Sequence, residues 1–424
     1  MNFFQKTFYF FSNNTDPAER KVAKFFAKLN ENQTKDDIES DLDWFLQNNI
    51  IGLNLWSEYK YRGYKYLTKA KRRELYTNSQ AIAQHFGLYL SQSKHPIEQI
   101  LSEIHSHGAD TRKVSEFTDQ LVYLRNIMSY LSPHGGRYNY RKSSTFGELL
   151  KDPNNAVLVG DCNQIVTLYI FLYSLKFDIK DLQIKTYPGH VALHFKGVDI
   201  EATSGTFASY KESGQAILSI EEIVSVNLLD VTDEYFKTHD VSAESLLESA
   251  RIAYILSSQR DIVEKNLVGA YNNVVVELTN SSNFSKALKY AKQSNDKKLI
   301  NMAGHNGAVY YMRENEFKNA LKFAQYSDDS SKLVQSIYHN KGVYYFGKEE
   351  FYTALKAFEQ AGEQDAVKNC YAGLFGQEQK KLGKIKTDED IKANRKIIGA
   401  MDNYAKKSGN QDLINYVSDL KKYL

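Results

Sequence analysis

Apolar positions over the first ~115 residues recur with helical spacing. In "DPAERKVAKFFAKL" an Asp-Pro pair opens the run, so Asp16 can cap a helix and Pro17 suits its first position. In "KRRELYTNSQAIAQHFGLYLSQS", Leu75, Ile82, His85 with Phe86, and Leu90 fall near one helical face. No chemistry is evident here, and the stretch reads as a helical packing or partner-binding region. The pattern changes near residue 116. "FTDQLVYLRNIMSYL" predicts an amphipathic helix and "TFGELLKD" a short one. Between them, "SPHGGRYNYRKSS" predicts a loop in which Gly135-Gly136 permits unusual backbone angles. Next comes "AVLVGDCNQIVTLYIFLYSLKF", Ala156 to Phe177. Its apolar residues Ile165, Val166, Leu168, Ile170, Phe171, Leu172 and Leu175 cover nearly every side, which predicts a buried helix. "LQIKTYP", "GHVALHFKG" and "VDIEATSG" then predict short strands, bounded by Pro188-Gly189, Gly197 and Gly205. A helix followed by antiparallel strands is an α+β pattern.

The last third repeats itself. "NFSKALKYAKQSND", "EFKNALKFAQYSDD" and "EFYTALKAFEQAGE" share a Phe-x-x-Ala-Leu-Lys core, with Phe284, Phe317 and Phe351 spaced 33 and then 34 residues. The preceding helices match as well, in "HNGAVYYMREN" and "HNKGVYYFGKE". Small residues (Ala287, Ala320, Ala354) let paired helices approach, and the aromatics fill the space to the next repeat. The period resembles that of tetratricopeptide repeats, without their usual Trp and closing Pro. The resemblance implies an α-solenoid, with repeats over about 265–375 and less regular helices as caps. Three regions are therefore expected: 1–115 helical, 116–235 α+β, and 236–424 helical repeats.

Composition narrows the function. The chain of 424 residues is 42% hydrophobic and 25% charged, as for ordinary globular proteins. Lys and Arg number 54 against 51 acidic residues, and no block of like charge runs long, so nucleic-acid binding is not expected. Two cysteines do not make a disulfide framework, which implies a reducing, cytoplasmic setting. The stretch "MNFFQKTFYFFSNNTDPAER" lacks a continuous apolar region and a small-residue cleavage site, so it does not read as a signal peptide. No stretch reaches the roughly 18 apolar residues of a membrane span.

The candidate chemistry centres on Cys162. It stands at the border between the polar tetrad Gly160-Asp161-Cys162-Asn163 and the apolar helix. A cysteine at a helix N-terminus has its thiolate stabilised by the helix's positive end, and the free N–H groups there can hold an oxyanion. The competing interpretation is an inert buried cysteine. A nucleophilic thiol needs a base, and the base an orienting group. The strands offer His190, with Asp199 and Glu201 on the next strand and sharing one face. His190 can equally be a structural strand histidine, Glu201 a solvated strand residue, and His194 a packing or surface residue. Cys370, on a repeat helix, reads as core. His105 and His107 in "HSHG" lack a visible third metal ligand. "GGRYNYRK" reads as a loop rim beside a cleft more readily than as an RNA contact.

Gly160-Asp161-Cys162, Gly189-His190-Val191 and Glu201-Ala202-Thr203, separated by 28 and 11 residues from Cys162 to His190 to Glu201, resemble the motifs of the transglutaminase-like superfamily of papain-type thiol enzymes. The resemblance covers roughly residues 120–210, and some members of that superfamily carry tetratricopeptide repeats. It implies a transglutaminase-like cysteine-enzyme core flanked by an N-terminal helical region and a C-terminal α-solenoid. By the resemblance Cys162 is the nucleophile, His190 the general base and acid, and Glu201 the orienting acid. The family's usual acid is Asp, so Asp199 stands as the alternative. Its Trp after the His is replaced by Val191-Ala192. The implied activity is hydrolysis or acyl transfer at amide bonds of a protein or peptide through a thioester. No cofactor, metal or membrane is implied, and the repeats would recruit a protein or peptide partner. A catalytically inactive protein-protein adaptor is the alternative.

Overall fold

The computed structural model describes residue 9 and residues 12–30, 32–210, 215–229 and 241–424. Its contacts divide into two compact units, Met1–Ala270 and Tyr271–Leu424. The boundary expected at 235 lies outside the described residues.

In the first unit, helix α1 (Pro17–Lys28) starts where Asp16 accepts the Ala18 and Glu19 N–H groups at 2.8 and 2.9 Å. It buries Val22, Phe25 and Phe26. Helix α2 (Glu39–Lys60) kinks at Asn49, with φ −158° and ψ 43°. The Asn49 side chain accepts the Gly52 N–H there, and such an insertion into the ladder is a known cause of kinks. Helix α3 (Lys69–Gln92) buries Leu75, Ile82 and Phe86 on one stripe, as its periodicity predicts. Helices α4 (Ile97–Ser106) and α5 (Thr118–Tyr130) follow. All these stripes close on the core that also holds the sheet: one cluster of buried side chains runs from Val22 to Leu256. The break expected at residue 115 is therefore not a break in packing. Periodicity identifies an apolar face without saying which distant face it meets.

Strands β1 (Tyr138–Tyr140) and β2 (Leu158–Gly160) pair in parallel, with Tyr140 opposite Gly160. The loop expected over "SPHGGRYNYRKSS" thus contains a strand, too short for alternation to announce it. The short helix α6 (Phe146–Leu149) lies between the two strands in sequence. Helix α7 (Cys162–Ser174) packs against α2, α5 and a strand of the main sheet. Its residues Ile165 to Ile170, Leu172 and Tyr173 are buried, whereas Leu175, just past its end, is 48% exposed. Strands β3 (Leu182–Tyr187), β4 (His190–Phe195) and β5 (Val198–Glu201) occupy the three expected segments. Strands β6 (Thr206–Ala208) and β7 (Ala216–Ser219) are added at the edges, giving an antiparallel sheet of order β6-β5-β4-β3-β7. Helices α8 (Glu222–Leu229) and α9 (Ala243–Leu256) complete the unit's core. The chain is of mixed α+β class, mostly helical with a small sheet.

The division between units falls within helix α10 (Arg260–Asn280). The second unit continues with α11 (Phe284–Gln293), α12 (Lys297–Arg313), α13 (Phe317–Ala324), α14 (Ser330–Gly347) and α15 (Phe351–Ala361). The sequence repeat is repeated in the backbone. Ser282, Asn315 and Glu349, each two residues before the repeat phenylalanine, have φ of 59°, 61° and 60°. The left-handed residue that ends each helix is thus the same one in every copy, though none is glycine. Ala287, Ala320 and Ala354 are fully buried. A Cβ on Gly307 would come within 2.6 Å of the Phe323 ring, and one on Gly342 within 2.5 Å of the Phe358 ring. In both copies a bare backbone meets an aromatic face. Helices α16 (Gln364–Leu382), α17 (Asp388–Ala393), α18 (Arg395–Ser408) and α19 (Gln411–Lys421) close around Phe375, Ile398, Met401 and Val417. Among the described residues no helix is long and apolar enough to cross a membrane.

Candidate active site

Cys162 is the first residue of α7. Asp161 caps the helix: its Oδ1 accepts the Asn163 and Gln164 N–H groups at 3.1 and 3.3 Å. Gln164 reaches back to accept the Asp161 N–H at 2.9 Å. This reciprocal box fixes the helix start at the cysteine. The Cys162 N–H, at the first helical position, has no partner within the helix. The thiol lies 3.6 Å from the Asn163 side-chain oxygen, and the residue is 8% exposed.

His190 opens β4 directly after the Pro188-Gly189 turn. Gly189 has φ +74°, as the third residue of a type II turn requires. The turn sets Tyr187 opposite His190, and the two rings stack with centroids 6.0 Å apart. His190 Nε2 lies 2.7 Å from Glu201 Oε2, and the Cys162 side chain is close enough to act on the imidazole's charge. Cys162 and then Glu201 raise the imidazole from an ordinary 6.5 to about 10, against the effect of burial. Burial pushes the Glu201 carboxyl up, but hydrogen bonds from His190, Thr203 and Tyr210 outweigh it and bring it down to about 2. Thr203 donates its N–H at 3.0 Å, and also its hydroxyl, to Oε1. The Tyr210 hydroxyl donates to Oε2 at 2.6 Å. Imidazole and carboxylate thus form a hydrogen-bonded pair, with the Cys162 thiol as a further neighbour of the imidazole.

Asp199 is held elsewhere. It stands opposite His194 in the register, accepts from His194 Nδ1 at 2.7 Å, and pairs with Lys185 Nζ at 2.5 Å. Burial pushes its carboxyl up, yet the bonds from His194 and Lys185 keep it below its ordinary value. The other nitrogen of His194 accepts the Gly197 N–H at 3.2 Å, so Nδ1 carries the proton toward Asp199. Of the two acids weighed from sequence, Glu201 is the one on His190. The signal that separates them is the turn Lys196-Gly197, with φ of 47° and 96°. Two left-handed central residues make a two-residue hairpin loop, and its length fixes the β4–β5 register. Asp199 then falls directly opposite His194. Glu201 lies one residue past the last β4–β5 pair, Leu193 and Ile200, on the side toward His190, and its carboxylate reaches His190 Nε2 at 2.7 Å.

Sequence reasoning did not single out Lys185, nor Tyr210. A lysine inside a central strand signals a buried acid partner, because an unpaired buried charge is costly. Tyr210, past a strand that alternation does not announce, gives no local signal. Val191 and Ala192, where the resemblance places Trp, are buried. Cys370 is fully buried on α16, and burial pushes its thiol up to about 11. His105 and His107 lie exposed at the end of α4. Arg137 bonds His85 and Arg141 pairs with Glu148 at 2.7 Å, so both arginines of "GGRYNYRK" are engaged locally.

No protein-family model matches this chain, and no curated protein matches it closely enough to count as a relative.

Proposed function

We propose that the first unit is a transglutaminase-like cysteine enzyme acting on amide bonds of a protein or peptide, and that tetratricopeptide-like repeats in the second unit recruit that partner. The observation that carries this is the grouping of Cys162, His190 and Glu201, with the thiol at a capped helix N-terminus. An imidazole raised to about 10 is protonated at neutral pH and so holds a proton it can give as general acid. In the proposed reaction Cys162 Sγ bonds to the amide carbon. The Cys162 N–H stabilises the oxyanion. His190 gives its proton to the departing nitrogen as the C–N bond breaks, which leaves a thioester. His190 then takes a proton from water as the water oxygen bonds to the acyl carbon and the C–S bond breaks, which frees the acid and returns the sulfur to Cys162 beside a protonated His190; an amine in place of water gives acyl transfer. Glu201 keeps the ring oriented throughout. None of these steps uses a cofactor.

A binding adaptor built on the same scaffold is the alternative, favoured by the shielding of Cys162, which is 8% exposed. The two are separated by incubating the protein with a peptide mixture, with and without a primary amine. Mass spectrometry then reads acyl adducts on Cys162. A hydroxylamine-labile adduct, absent in Cys162→Ala, supports the enzyme; new N-termini mean hydrolysis and amine-bearing products mean transfer. An unmodified Cys162 together with a stably bound peptide supports the adaptor.

A further inference from the structure

Beside the candidate site lies a second set of buried polar groups, the Lys185–Asp199 ion pair with His194, which the proposed reaction does not use. Their side chains are 8%, 6% and 8% exposed. Burying three such groups costs desolvation, and an ion pair of this kind is weak evidence for stability alone. The two sets meet at one residue, Tyr210. Its N–H donates to Asp199 Oδ2 at 3.3 Å, and its carbonyl accepts from Lys185 Nζ at 3.2 Å. Its hydroxyl donates to Glu201 Oε2 at 2.6 Å, on the same oxygen that holds His190. Its ring meets Tyr187 edge-on at 4.8 Å, and Tyr187 in turn stacks on His190. Tyr210 is thereby pinned at its backbone by one acid while its side chain fixes the other.

We propose that Tyr210 is a positioning residue, anchored by the buried Lys185–Asp199 pair, that holds Glu201 against His190 and so orients the imidazole toward Cys162. This rests on the thiol–imidazole reading of the site. Among the described residues, the groups facing His190 include Cys162, Glu201 and Tyr187, and those facing Tyr210 include Lys185, Asp199, Glu201 and Tyr187. Removing only the hydroxyl leaves the aromatic packing in place and frees one side of the Glu201 carboxylate.

The test is a double-mutant cycle on the alkylation rate of Cys162 by iodoacetamide at pH 6.5, in the full chain. Tyr210→Phe is expected to slow labelling about fivefold to tenfold, within what one hydrogen bond to a charged group is worth. In a Glu201→Ala background the same change is expected to have no further effect, because its route runs through the carboxylate. A merely structural tyrosine would slow both backgrounds alike. The spectroscopic companion is the low-field proton line of His190 Nε2–H. That line is expected to shift or broaden in Tyr210→Phe and to vanish in His190→Ala. If Tyr210→Phe fails to fold, the charge-balanced pair Lys185→Met with Asp199→Asn replaces it, with a severalfold slowing expected. Equal slowing in both backgrounds overturns the proposal, as does unchanged labelling with an unmoved proton line. If His190→Ala itself labels as fast as wild type, the thiol–imidazole reading fails instead, and the two failures are distinct.

Discussion

The sheet carries two histidine–carboxylate pairs on one face, four residues apart along β4, and they are built for different ends. His194 and Asp199 stand directly opposite each other. Both are buried, and every hydrogen-bonding side of the imidazole is used: Nδ1 by Asp199 and Nε2 by the Gly197 N–H. His190 and Glu201 lie beyond the paired stretch of β4 and β5, and the His190 side chain is 30% exposed. Its Nε2 is held by Glu201, and its nucleophilic neighbour is the Cys162 thiol. A histidine closed on both sides by its own scaffold cannot exchange protons with a substrate, whereas one set beside a nucleophile can. The same pair of residue types thus reads as structure at one position and as chemistry at the other, and the third neighbour decides.

The sharpest way to break this comparison is to remove each histidine. His190→Ala is expected to slow Cys162 alkylation at pH 6 by about a hundredfold, at the lower end of what a positioned acid-base group contributes. His194→Ala is expected to leave the rate within about twofold. It should instead lower stability by roughly 1–3 kcal/mol in urea unfolding, because Asp199 and the Gly197 N–H lose partners in a buried site. Reversed effects would undo the division of roles.

Next in size is the acid. Glu201→Asp is expected to slow labelling about tenfold, although Asp is the usual acid of the resembled family. The shorter arm falls short of His190, and Thr203 and Tyr210 lose their acceptor geometry. Full activity in Glu201→Asp would mean that reach does not matter here. The two cysteines supply a parallel contrast: Cys370, fully buried with its thiol pushed up to about 11, should label only when the chain unfolds.

The smallest effect is on stability against pH. His190 is raised from 6.5 to about 10, so its contribution is full below pH 6.5 and is lost as pH rises toward 10. Glu201 is lowered from 4.5 to about 2, so its contribution is full above pH 4.5 and is lost as pH falls toward 2. The stability gap between wild type and His190→Ala should therefore be widest at pH 5–6 and close by about pH 10. Chemical unfolding of both at the two ends checks the sign.

Much of this was legible in the chain. The order of Cys162, His190 and an acid, the three central strands, the buried α7 helix and the repeat period all follow from local patterns. Asp199 and Glu201 share a face by the period of two, so alternation alone leaves both open; the two-residue Lys196-Gly197 turn resolves them through register. Lys185 carried a signal in its placement within a central strand. Tyr210 carried none, because its partners come from β3 and β5 and it follows a three-residue edge strand. The N-terminal helices looked separate because their apolar stripes say nothing of the sheet unit that covers them.

The most direct test of the central claim is the alkylation rate of Cys162 against pH, in wild type and in His190→Ala. A thiol paired with His190 labels fast well below pH 8 in wild type, and loses that low-pH reactivity in the variant. Identical profiles in the two proteins, both rising only near the ordinary thiol range of about 8.5, would contradict the pairing and leave Cys162 a core residue.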